Sequence, residues 1–396
     1  MKTRNPSSTV LEERPSASSD QDINACWQRV IRRRSFLKGA AIAGAGAMAP
    51  AVLVKAAKAQ GNRKLSKGDA AILRFLAAAE IIESDLWAQY AELGGVDEFQ
   101  QISNGNPGFN GGNSAYINAL EQLDEDMPQY ITDNTDDELS HAAFLNAYLM
   151  SRGAQPVDLS AFVTLPGSQA TGVVNPNKKR LTNLMNLTVD TSWYTRYRSD
   201  QNPDLGASFT GPVTITNIPG IPRTDADTAD PHMIQAIANV AGFHFAFIEQ
   251  GGSSLYATMA QKASDLEVLR IVVSIGGVEV DHFGLWHDKA GNAVNAPLAP
   301  LTVNFGNGSV TFPNLNDPSN NLELTQTNKI LPEPCEFISK DLPKCSVIRP
   351  STVQNSGAAA AVKAFADDGL FIGQPNSFLA KLMQMAEQAD QARRDE

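Results

Sequence analysis

The chain has 396 residues, with 32 Lys+Arg against 43 Asp+Glu, a formal net charge of -11, 42% apolar and 19% charged residues. That composition is globular rather than disordered or collagenous, and its acidic balance argues against nucleic acid as a partner. Three cysteines are too few for a disulfide-dense scaffold or a four-thiolate zinc site.

The first segment has the order of an export signal. Residues 1–31 are polar. Arg33-Arg34-Ser35-Phe36-Leu37-Lys38 follows, then a soft apolar run from Gly39 to Val54 and the small-residue site Ala57-Lys58-Ala59. A charged region, an apolar region and an A-x-A site make a cleavable signal, and the paired arginines resemble the twin-arginine class. The rival is a membrane anchor, for which about 20 apolar residues are needed. The expectation is therefore a signal over 1–59, no stable span after cleavage, and a periplasmic or extracellular protein. Cleavage leaves 22 Lys+Arg against 39 Asp+Glu, a net charge of -17. Of the cysteines, Cys335 and Cys345 remain. In an oxidising compartment with no nearby His or further Cys, a disulfide between them is favoured over a metal site.

From about Ser66 to Leu93, Ile72, Phe75, Leu76, Ile82, Leu86 and Tyr90 recur at helical spacing, and Gly94-Gly95 stops the run. Residues 103–113 read as loop. Helical stretches follow at about 115–126 and from near Asn134 to Arg152. Residues 153–229 form a long crossover, with one predicted helix from about Lys178 to Tyr197; its Trp193, Tyr194 and Tyr197 read as packing residues. Asp230-Pro231 opens the next helix as cap and first turn, to about Ala263. Ser264-x-x-Glu267 has the capping-box pattern for another, closed by Gly291. The C-terminal extension, 291–396, carries a hairpin candidate of Leu301–Phe305 and Ser309–Phe312 around a Gly-Asn-Gly turn, and two final helices at about 357–367 and 376–394.

The chemistry lies in the helical blocks. Glu138-Leu139-Ser140-His141 and Glu279-Val280-Asp281-His282 are both Glu-x-x-His. Residues i and i+3 share a helix face, so carboxylate and imidazole can converge on one ion. Two of only five histidines sit in this arrangement. Glu83 precedes Tyr90 by seven residues, and Glu249 precedes Tyr256 by seven. The chain therefore reads as a repeated pair of helices, Glu…Tyr then Glu-x-x-His, joined by the crossover. Glu from two helices and Glu-x-x-His from two others is the pattern of ferritin-like dinuclear carboxylate bundles.

On these motifs, with Ile72–Tyr90 and Phe243–His287, the sequence resembles the ferritin-like superfamily, in particular exported bacterial proteins related to plant desiccation-related proteins. The resemblance implies a mainly α fold, a ferritin-like four-helix bundle over 66–290 with the crossover between its second and third helices. It also implies a diiron or dimanganese site held by Glu83, Glu138, His141, Glu249, Glu279 and His282, with Tyr90 and Tyr256 as hydrogen-bond partners behind the ligands. Two alternatives stay open at this point. Glu80, one turn before Glu83, competes for the first-helix place, although aligning the halves sets Glu83 opposite Glu249. Thr135-x-x-Glu138 is also a capping-box pattern, which would make Glu138 a helix-start residue. His244 and His287 fall off the site face, and His232 sits at a helix start.

Four carboxylates and two imidazoles balance two divalent ions and suit iron or manganese. The implied chemistry is oxidation of Fe(II) by oxygen or peroxide, or removal of peroxide. The alternative is a non-catalytic stress- or desiccation-related structural or interaction protein built on the same bundle. A homo-oligomer stays open. There is no G-x-G-x-x-G, P-loop or C-x-x-C-H fingerprint for nucleotide or haem.

Overall fold

The computed structural model describes residues 64–96, 109–190, 214–305, 309–314, 341, 343 and 357–394. The signal region, Cys335, Cys345, Trp193, Tyr194, Tyr197 and the turn at 306–308 lie outside the described residues.

The fold is mainly helical, with two small antiparallel strand pairs. Helix α1 (Lys67–Gly94) starts where the Ser66 hydroxyl accepts from the Asp69 N–H. A short α2 (Ser114–Glu121), capped by Asn113, precedes α3 (Met127–Ser151). Strands β1 (Leu187–Asp190) and β2 (Thr214–Ile218) pair in the crossover. Helix α4 (Pro231–Ala260) is capped by Asp230 with Pro in its first turn, and α5 (Leu266–Ala290) follows a short connection. Strands β3 (Leu301–Asn304) and β4 (Ser309–Phe312) form the expected hairpin. Helices α6 (Ala358–Asp367) and α7 (Asn376–Asp390) end the described chain.

Helices α1, α3, α4 and α5 make the bundle, packed chiefly as the pairs α1/α3 and α4/α5, with α7 laid against α1. Terminal contacts set their directions. Ser264, just before α5, donates its N–H to Asp69 near the start of α1 at 2.9 Å. Arg152, just past the end of α3, bridges to Glu267 at the start of α5 at 2.7 Å, and Lys289 at the end of α5 reaches Asp124 before α3 at 2.6 Å. Helices α1 and α5 therefore run parallel, and α3 runs against both. The apolar interior includes Trp87, Trp286, Phe75, Phe243, Phe245 and Phe283, all less than 3% exposed. No helix among the described residues is long and apolar enough to cross a membrane.

Three local expectations change. Helix α3 begins at Met127 with Pro128 in its first turn, so Glu138 lies three turns inside it. Thr135 caps nothing: its hydroxyl donates to the Ile131 carbonyl at 2.7 Å and to that of Trp87 at 3.2 Å. The cap of α5 is Asp265, which accepts from the Glu267 N–H at 2.7 Å, while Ser264 turns to Asp69. Finally, the described part of 178–197 is not helical. A half-buried aspartate of α1 claims its backbone, since Asp85 accepts from the N–H groups of Leu181 and Thr182 and from the Thr182 hydroxyl. Thr188 and Val189 then pair as strand, where β-branched side chains fit well.

Candidate metal centre

Midway along the bundle, one buried carboxylate or Glu-x-x-His pair projects inward from each of the four helices. Glu80 of α1, Glu138 of α3, Glu249 of α4 and Glu279 of α5 are at most 1% exposed, and His141 and His282 are each 7% exposed. They form two overlapping groups. Glu80, Glu138, His141 and Glu279 offer one atom apiece within 4.8 Å of one another, and so do Glu138, Glu249, Glu279 and His282. Glu138 and Glu279 belong to both groups.

The two imidazoles face inward through Nδ1. His141 Nδ1 lies 3.3 Å from Glu80, and 3.5 Å from both Glu138 and Glu279. His282 Nδ1 lies 3.2 Å from Glu138 and 3.3 Å from Glu249. The far nitrogen of His282, Nε2, pairs with Asp137 at 3.1 Å, the outer carboxylate contact that fixes ring orientation in metal-ligating histidines.

Behind these groups stands a second layer of donors. Tyr256 donates its hydroxyl to Glu80 in a short hydrogen bond. Trp87 donates its indole N–H to Glu249 at 3.0 Å. Asn134 donates to Glu138 at 3.0 Å and Glu249 at 3.2 Å, and its own oxygen accepts from Trp286 at 2.7 Å. The repeat thereby acquires a different register from the one the sequence suggests. Glu80 precedes Trp87 by seven, as Glu249 precedes Tyr256, and each aromatic donor serves the glutamate of the other helix. Glu83 is buried but enters neither four-atom group. Tyr90 bonds no carboxylate of the site, because its hydroxyl meets His244 Nδ1 at 2.9 Å.

Such a cluster of buried carboxyls is costly unless something offsets the charge. In the metal-free chain, protons do so. Burial, followed by the Glu138 charge, pushes Glu80 up to about 8 despite the opposing attraction of His141. Burial and the neighbouring carboxylates also push Glu83 and Glu279 well above the usual carboxylate range. Glu249 moves up for the same first reason. Burial alone would raise Glu138 too, but the close approach of both imidazoles overcomes it and holds the carboxyl below its ordinary value. The imidazoles answer in kind. Burial would lower His141, yet Glu80 and Glu138 push it up to about 10, and His282 rises under Glu249, Asp137 and Glu138.

Protons leave the geometry unsatisfied. Glu80 Oε2, Glu138 Oε2, His141 Nδ1, Glu249 Oε2, both oxygens of Glu279 and His282 Nδ1 are buried with no hydrogen-bond partner. All six residues thus present at least one unsatisfied donor atom to a common centre, which is what a hard or borderline cation requires of oxygen and nitrogen ligands. Gly252 of α4 makes room for this arrangement, since a Cβ there would sit 2.2 Å from Glu279 Oε2. These groups could hold a metal ion.

Glu138, His141, Glu249, Glu279 and His282, singled out by spacing, are brought together; Glu83 is buried within reach of their charges but enters neither four-atom group, and Tyr90 bonds to none of them. Trp87, Asn134 and Asp137 were missed. Asn134 had a signal, four residues before Glu138 on the same helix face. Trp87 had the seven-residue offset from Glu80. His232 is exposed at the start of α4, and His287 is buried beside Phe283, apart from both groups. A family model described as a ferritin-like domain matches residues 68–292. No curated protein and no solved structure matches the chain.

Proposed function

The chain belongs to the ferritin-like domain family, and from that membership and the donor set we propose that it is an exported protein carrying a dinuclear iron or manganese centre. Glu138 and Glu279, common to both donor groups, would be shared between the ions, with Glu80 and His141 completing one set and Glu249 and His282 the other. The observation that carries this reading is the set of buried, unpartnered oxygen and nitrogen atoms converging from four helices. Four carboxylates match the charge of two divalent ions, and the absence of sulfur from both groups favours iron or manganese over softer metals.

Two such ions supply a pair of one-electron changes, which suits peroxide removal or the oxidation of Fe(II) by dioxygen. The residues of the chain do the rest. Tyr256 and Trp87 hold Glu80 and Glu249 by one oxygen each and leave the other free. Asp137 accepts from His282 Nε2–H, so Nδ1 keeps its lone pair turned inward. Asn134 ties a shared glutamate to a terminal one. The apolar wall of Trp87, Trp286 and Phe245 excludes water on that side and strengthens each charge interaction. Export rests on Arg33-Arg34 and the apolar run behind them.

Anaerobic titration with Fe(II) and with Mn(II), followed by calorimetry, tests the reading. Saturation at two equivalents is expected, with peroxide consumed only by the loaded protein. Binding that Glu138→Gln and Glu279→Gln leave unchanged would refute it.

A further inference from the structure

Helix α5 packs one side against α4 and α3 and leaves a second, equally regular side open. Leu266, Arg270, Val273, Gly277, Val280 and Gly284 recur at alternating steps of four and three, the spacing that aligns side chains as a heptad seam along one face of a helix. Leu266, Val273 and Val280 are 72%, 57% and 39% exposed. Apolar side chains exposed singly need no explanation, whereas a contiguous row of them marks a contact surface. The glycines between them point the same way. A glycine inside a helix is less favourable than an alanine. Gly252 of α4 and Gly276 of α5 are required by the chain's own packing, since a Cβ would lie 2.2 Å from Glu279 and 2.8 Å from Tyr256. At Gly277 and Gly284 a Cβ would meet nothing within 4 Å. Nothing inside this chain needs them small.

We propose that this seam binds a second copy of the chain, the two α5 helices running antiparallel about a two-fold axis level with Ile275. The seam is complementary to itself in that direction, as a two-fold interface must be. Leu266 then stands opposite Gly284 of the second copy, and Val273 opposite Gly277, so each apolar knob enters the open space over a glycine. Val280 stands opposite Arg270, whose methylenes cover it while the guanidinium reaches outward. That guanidinium comes level with Asp281 of the second copy, one residue past Val280 on the same edge of the seam. Arg270 and Asp281 are both exposed and have no ion-pair partner among the described residues, and the dimer pairs them twice. Glu267, on that edge too, is already neutralised by Arg152 at 2.7 Å. A parallel pairing would set Arg270 against Arg270 and glycine against glycine, so charge and shape both select the antiparallel one. The seam is about 27 Å long and one helix wide, the small end of specific interfaces, which fits reversible association. The inference is independent of the metal.

The test is sedimentation velocity of the full chain from roughly 1 to 200 µM, the range of modest protein association, with melting followed by circular dichroism as the check on folding. Wild-type protein should pass from monomer to dimer across this range. Gly277→Leu places a side chain where the chain's own atoms leave open space, so it should melt at or above the wild-type temperature while weakening association by about a hundredfold or more, the scale of a central interface residue. Arg270→Glu sets like charges together twice and should weaken association by about tenfold. Adding Asp281→Arg to it should restore association to within about threefold of wild type, which a merely damaged surface would not do. A wild-type chain that stays monomeric throughout overturns the proposal. So does a dimer that Gly277→Leu leaves unchanged, since it uses another face, and so does a double variant that associates no more tightly than Arg270→Glu alone.

Discussion

Gly252→Ala separates the site from the fold more cleanly than any ligand substitution. The new Cβ would sit 2.2 Å from Glu279 Oε2, and ordinary contact begins near 3.4 Å, so the carboxylate must retreat by about 1.2 Å. That is far more than the ~0.2 Å tolerance of a metal–ligand distance. The clashing atom is the end of a flexible side chain, whereas the helix backbone need not move. Gly to Ala within a helix stabilises it by roughly 0.5–1 kcal/mol through lost unfolded-state freedom. The metal-free variant should therefore melt at or above the wild-type temperature while binding metal at least ~10–100-fold more weakly, since Glu279 belongs to both donor groups. Differential scanning fluorimetry with and without Fe(II) or Mn(II), alongside isothermal titration calorimetry, reads both quantities. Gly251→Ala is the control, because its Cβ would meet nothing within 4 Å. Wild-type metal affinity in Gly252→Ala would refute the assignment of Glu279.

Other outcomes follow from the same structure. Trp87→Phe removes the indole donor to Glu249 but keeps the ring, and should weaken the second equivalent of metal by about 10–100-fold in calorimetry with the fold intact. Metal-free protein should lose thermal stability as pH rises from 5 to 8. Glu80, pushed up to about 8 first by burial, keeps a proton that the unfolded chain releases above 4.5. His141, pushed up to about 10 by Glu80 and Glu138 against burial, likewise binds a proton that the unfolded chain gives up above 6.5. Both contributions fade with rising pH, while the lowered Glu138 acts only below 4.5. Metal affinity should rise over the same range, because ions and protons compete for these atoms; a flat melting profile without metal would contradict this. Glu92→Ala leaves the buried Arg180 guanidinium without its carboxylate and should cost about 3–5 kcal/mol in chemical denaturation. Replacing Arg33 and Arg34 with Lys should retain the protein in the cytoplasm on fractionation.

The bundle was legible because its helices obey local rules. Ser66 and Asp230 cap, Gly94-Gly95 stops, and the apolar spacing of α1, α4 and α5 is helical. Both Glu-x-x-His pairs were legible for the same reason: i and i+3 share a face whatever the tertiary context. Which first-helix glutamate enters the four-atom groups was not, because Glu80 and Glu83 lie one turn apart and only the packing of the other helices distinguishes them. Pairing by like residue set Tyr90 against Tyr256, whereas the structure sets Trp87 there, since an indole N–H and a phenol O–H both donate to a carboxylate. The start of α3 was misplaced because polar residues such as Thr132 and Asn134 sit on its buried face and mask the periodicity. The crossover was misread for a tertiary reason, Asp85 claiming its backbone N–H groups from across the molecule.

Anomalous scattering from crystals of the metal-loaded protein, collected on either side of the iron and manganese edges, tests the central claim most directly. Two peaks are expected, both touching Glu138 and Glu279, one completed by Glu80 and His141 and the other by Glu249 and His282. A single peak, a peak coordinated by other residues, or none from crystals grown in saturating metal would contradict the dinuclear centre.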